Sequence, residues 1–105
     1  MQINKPKQKY LWTSHAYYKM RHYRLSESLI KRVIRYPQRI EESIVPGTIA
    51  CMRPAQSKNY SEIWAMYKPT KLKQLKVITA WRYPAKSPRR DPIPKEILEE
   101  VRSLL

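Results

Sequence analysis

The sequence predicts one small α+β domain, on three observations. The chain has 105 residues, 42% of them hydrophobic and 10% aromatic, which supplies apolar side chain for one core but not the length for two. Apolar positions recur at helical spacing between His15 and Tyr36 and again behind Pro94, whereas from Arg39 to Tyr83 they recur at a period of two. Nine prolines punctuate these stretches into pieces of helix or strand length. The expected architecture is a single domain over 1–105: two N-terminal helices packed on one face of a small antiparallel sheet of three to five strands, plus a C-terminal helix.

Tyr10 to Thr13 is a short aromatic run suited to a sheet edge, and Thr13 or Ser14 supplies a side-chain oxygen to cap a helix from His15 to about Tyr23. On that helix Ala16, Met20 and Tyr23 form a stripe that packs, while His15, Lys19 and His22 form a polar stripe that is presented. Ser26 caps a second helix, whose Leu29, Ile30, Val33 and Ile34 oppose Lys31, Arg32 and Arg35 until Pro37 stops it after Tyr36. A strand follows from Arg39. Pro46-Gly47 stands in the order a type II turn requires, so a hairpin returns through Thr48–Arg53. A polar loop, 54–59, leads to a strand over Tyr60–Lys68, and a second loop, 69–74, leads to Leu75–Tyr83. The β-branched and aromatic content of this last strand predicts a central position. Residues 85–93 read as a basic, proline-rich arm, and 94–105 as a terminal helix with Ile97, Leu98, Val101 and Leu104 on its apolar side.

Composition narrows function. Lys plus Arg number 22 against 8 Asp plus Glu, a formal charge of +14, so an anionic partner is expected. The charge is uneven: residues 91–105 carry two basic side chains against four acidic ones, net −2, which leaves +16 on residues 1–90. The single glycine, Gly47, removes the glycine-rich phosphate loops and dinucleotide fingerprints. One cysteine, Cys51, and two histidines cannot assemble the usual zinc frameworks or an internal disulfide. No cofactor and no metal are expected. The polar, basic opening Met1–Lys9 carries no targeting pattern, no apolar run reaches membrane-spanning length, and the expected location is a reducing, cytoplasmic one.

Two patches resemble a known family. His15-Ala16-Tyr17-Tyr18-Lys19-Met20, followed by Leu25-Ser26, Leu29-Ile30, Val33-Ile34 and Pro37, is similar to the opening of a branch of small bacterial domains of unknown function. That branch begins His-Ala-x-x-Arg-Met-x-x-Arg-x-Ile-Ser and belongs by fold to the RelE/ParE toxin superfamily. Lys76-Val77-Ile78-Thr79-Ala80-Trp81-Arg82 looks like its last strand and that of the related BrnT toxins. Lys19 and Tyr23 stand where the family carries arginine. The resemblance implies a RelE/ParE-like fold, an activity on messenger RNA at the ribosome or on DNA gyrase, and an acidic antitoxin as partner.

Candidate chemistry centres on His15, at the start of the first helix, where the dipole disfavours a further positive charge and leaves an imidazole nitrogen to accept a proton. Cleaving RNA without metal needs such a base together with cations and a proton donor at the phosphate, and Lys19, Arg82 and Tyr83 are the candidates for those roles. His22, roughly 10 Å along the helix, is the weaker histidine. Arg21, Arg24, Arg53, Lys58, Arg89 and Arg90 are the expected nucleic-acid contacts, with Trp81 among the aromatics offered for base stacking. Cys51 is expected to be packing, and adjacent Glu41 and Glu42 fall on opposite faces of a strand. The expected function is thus an RNA-binding toxin-type domain, acting as a metal-independent endoribonuclease. The alternatives are a non-catalytic nucleic-acid or ribosome-binding module, and an interaction protein whose acidic last helix docks a partner or a second copy, a homodimer.

Overall fold

Thr13 and Ser26 each start a helix in the way their side chains dictate. In a computed structural model describing residues 8–71 and 73–104, Thr13 Oγ1 accepts the Ala16 N–H at 3.0 Å and Ser26 Oγ accepts the Leu29 N–H at 3.1 Å. The expected signal-free opening lies outside the described residues except for Gln8 and Lys9, as do Leu72 of the expected 69–74 loop and Leu105 of the expected terminal helix.

Eight elements follow in the order β1 (Lys9–Trp12), α1 (Ser14–Tyr23), α2 (Glu27–Arg35), β2 (Arg39–Glu42), β3 (Ile49–Pro54), β4 (Glu62–Lys71), β5 (Gln74–Tyr83) and α3 (Lys95–Leu104). The class is α+β, as expected. The five strands form one sheet in the order β1-β5-β4-β3-β2. The sheet is mixed rather than antiparallel, because β1, which precedes both helices, pairs parallel with β5. β4, not β5, is the middle strand.

The β2–β3 hairpin turns where proline and glycine require it. Thr48 N–H bonds to Val45 O at 3.2 Å across Pro46 and Gly47, and Gly47 takes φ +78°, a conformation that side chains resist. The expected 69–74 loop shrinks to a tight connection, since β4 continues to Lys71 and Lys73 turns the chain at φ 63°. Pro69 is tolerated there because the register shifts between it and Lys71.

The sheet is covered on both faces, not one. Ile30, Val33 and Ile34 of α2, with Ala16 and Met20 of α1, pack on Cys51, Ile63, Ala65, Val77 and Ala80. Ile97 and Val101 of α3, with Ile93, pack on the other face against Met52, Trp64, Met66, Ile78 and Trp81. A bulge shifts the alternation of the two sets along β5: Met66 pairs Thr79 and Tyr67 pairs Val77, leaving Ile78 as the extra residue. Trp81 therefore meets its cross-strand partner Trp64 in the α3 layer, rings parallel within 4° and centroids 5.6 Å apart. At 1% exposure Trp81 is core and cannot stack on a base, which corrects its expected role.

The basic arm is irregular in backbone, as expected, but it is pinned. Arg39 donates to Ser87 Oγ at 3.0 Å and to the Pro88 and Arg89 carbonyls at 2.8 Å each, while its Nε holds Glu41 at 2.7 Å. Glu62 closes the same contact from beneath: its carboxylate accepts from Tyr60 OH (2.8 Å), Trp64 Nε1 (3.0 Å) and Ser87 N (3.3 Å). Glu62 is only 2% exposed. Burial opposes its charge, yet the hydrogen bonds from Ser87, Trp64 and Tyr60 outweigh burial and hold the carboxyl below its ordinary value.

Candidate functional site

Two clefts share Arg82, and the expected site residues divide between them. The first, about 420 Å³, lies between α2, the end of β3 with the loop after it, and β5. Arg32, Arg53 and Arg82 supply its charge. The described residues that line it include no Asp or Glu.

Helix ends position two of these arginines. The last carbonyls of a helix have no intrahelical partner. Arg82, near the end of β5, donates to Tyr23 O at the end of α1 at 3.3 Å. Arg53, near the end of β3, donates from Nη1 to Tyr36 O, the C-cap of α2. Each guanidinium thus sits at the negative end of a helix dipole, held by a carbonyl that offsets its charge only in part, where a carboxylate would pair it. Arg32 is exposed, and its side chain makes no hydrogen bond or ion pair among the described residues.

The second cleft, about 360 Å³, lies between α1, β5 and α3, and Lys19, Arg82 and Tyr83 line it with Glu96 and Glu100. Here the charges cancel. Lys19 is buried, not presented, with Glu100 of α3 set against it: its Nζ is 3.2 Å and 3.3 Å from the two Glu100 oxygens. His15 Nε2 is 3.3 Å from Glu100 Oε2, in contact but not aligned as a hydrogen bond. His22 is exposed and stands edge-on to Tyr23 at 4.8 Å.

The structure thus brings Lys19, Arg82 and Tyr83 together in one cleft, leaves His15 outside that lining but against the same Glu100 oxygen as Lys19, and puts Arg53 with Arg82 in the first cleft. Lys58 is exposed in the loop after β3. Arg21 and Arg24 are exposed on and just after α1, Arg24 at φ 57° as its left-handed cap. Arg89 and Arg90 are exposed on the pinned arm. Sequence reasoning missed Arg32, which on a helical wheel looks like one more cation on the solvated side of α2. Its only signal is that it lies one helical turn before Tyr36, whose carbonyl holds Arg53. Cys51 is buried packing, its thiol pushed up to about 12 by burial. No described helix is long and apolar enough to cross a membrane.

No protein-family model matches the chain, and neither a curated protein nor a solved structure is significantly similar to it. The resemblance of its two patches to the RelE/ParE superfamily therefore rests on those residues alone.

Proposed function

We propose that this domain binds RNA, with the cleft of Arg32, Arg53 and Arg82 at the centre of its contact with the phosphates. One observation carries this reading: three arginines line a cleft that holds no carboxylate, and two of them are anchored by helix-terminal carbonyls. A guanidinium fork matches a phosphate with two parallel hydrogen bonds, and one held in advance loses less entropy on binding. The net charge of +14 supplies attraction from a distance. The domain then acts as a cytoplasmic RNA- or ribosome-binding module.

The test is fluorescence anisotropy with a labelled RNA across a salt series. Arg53→Ala and Arg82→Ala should each weaken binding about tenfold, and each should flatten the dependence of log affinity on log salt by about one phosphate contact, roughly 0.7. Arg32→Ala touches no described partner and serves as the variant certain to keep the fold. Unchanged affinity in Arg32→Ala together with a folded Arg53→Ala would overturn the reading.

A second reading, a toxin-type metal-independent endoribonuclease with an acidic antitoxin, is favoured by the meeting of Lys19, Arg82 and Tyr83 in one cleft. In it Arg82 and Lys19 hold the charge developing at phosphorus, Tyr83 donates to the leaving oxygen, and His15 takes the 2′-hydroxyl proton. Messenger RNA cleaved in a purified translation reaction by the wild type, but not by His15→Ala or Arg82→Ala, would establish it.

A further inference from the structure

We infer that the arginine cleft takes one unpaired nucleotide, its phosphate on Arg53 and Arg82 and its base against the apolar residues between and beside them. The inference rests on the reading that the cleft binds nucleic acid, and it specifies which form. Phosphate alone explains the arginines but not the rest of the lining. Leu29, Pro54, Ala55 and Ile63 form an apolar wall between and beside the arginines, Ile63 pairing across the sheet with both Arg53 and Arg82, and such a wall contributes nothing to a phosphate, which is recognised by donors and charge.

A ligand that uses both sides has an anionic end and a flat apolar end within a few ångströms, as a nucleotide has. A volume of about 420 Å³ is in the range that small ligands occupy. Gln56 and Ser57 complete the rim from the loop after β3. The Gln56 amide both donates and accepts, and Ser57 Oγ, which donates to Asn59 O at 2.6 Å, keeps lone pairs to accept from the polar edge of a base. A duplex turns its bases inward and shows a protein a convex, phosphate-lined surface, so its bases cannot enter a cleft. An unpaired base can be splayed into one.

The test uses the whole chain and three competitors at one salt concentration: a short single-stranded oligoribonucleotide, the same sequence as a blunt duplex, and the same strand with abasic residues that keep every phosphate. The single strand should compete about tenfold better than either of the others, the effect of one base contact. Leu29→Ala, which trims the wall without touching an arginine, should lower single-strand affinity several-fold and leave duplex affinity unchanged. Equal competition by the abasic strand, or by the duplex, overturns the inference while leaving the arginine cleft as a phosphate site. Failure of all three to bind overturns both readings.

Discussion

The two clefts that share Arg82 both hold cations and differ in what those cations touch. On the α3 side Lys19 and His15 converge on Glu100, and the charge is spent within the molecule. On the α2 side Arg53 and Arg82 rest on the carbonyls of Tyr36 and Tyr23, which orient a guanidinium without cancelling it. Arg82 lines both clefts but takes its one described hydrogen bond from α1's end, so it belongs with the unspent set. The difference teaches that in a chain of charge +14 the number of basic residues says little about where an anion binds. What counts is which of them the fold holds with neutral acceptors.

Glu62 extends the comparison to a carboxylate. It too is satisfied by neutral groups, yet it is buried and surrounded by donors on every side the structure describes, which makes it a structural group rather than a ligand site. Removing its charge should give the largest stability effect. Glu62→Gln weakens charge-assisted bonds to Tyr60, Trp64 and Ser87, and should cost about 2–3 kcal/mol at neutral pH, read by urea denaturation. The pH dependence follows from the lowered folded pKa. An unfolded glutamate titrates near 4.3, so the contribution of Glu62 is complete above about pH 5 and is lost as pH falls through its lower folded value. The difference between wild type and Glu62→Gln should therefore shrink on acidification. A difference that holds constant down to pH 3 would mean that the carboxylate's charge is not what pins the arm.

How much of this was legible in the sequence depends on how far apart the partners are. Thr13 and Ser26 as caps, the Pro46-Gly47 turn and the end of α2 before Pro37 are all decided within a few residues, and the structure bears them out, as it does the α+β class. The helix-terminal carbonyls that hold Arg53 and Arg82 lie 17 and 59 residues away in the chain, and no local pattern announces them. Lys19 and Glu100 are 81 residues apart. The sequence does show that the last segment is acidic, but not that its Glu100 is set against His15 and Lys19. Trp81 faces the α3 layer because of the bulge at Ile78, and a single inserted residue in a strand is invisible to a period-two pattern. The two-sided sheet has a separate cause: β4 and β5 are apolar on both faces, and the third helix covers the second one.

The spent charges on the α3 side give the next effect in size. Lys19→Met keeps the aliphatic stem in place and removes the cation from Glu100, whose side chain is 36% exposed and can turn to water. The expected loss is about 1 kcal/mol of stability, with less than a twofold change in RNA affinity. Equal losses of affinity from Lys19→Met and Arg53→Ala would erase the distinction between the two clefts and favour the endoribonuclease reading, in which Lys19 meets the phosphate.

The smallest expected effect concerns Cys51, which lies on β3 two residues before Arg53 and faces the α2 layer. Burial pushes its thiol up to about 12, so at pH 8 almost none is thiolate, the form that reacts. Iodoacetamide should leave the native protein unmodified over hours and label it only in denaturant, and saturating RNA should change neither result. A thiol that alkylates at a measurable rate in the native state would mean that the end of β3 opens from beneath α2. Since Tyr36, at the end of α2, is what holds Arg53, such opening would release that arginine from its carbonyl, and protection of Cys51 by added RNA would then show that ligand binding draws on the same closure. An inert thiol, by contrast, keeps Arg53 on the Tyr36 carbonyl and the arginine cleft as a site formed before its ligand arrives.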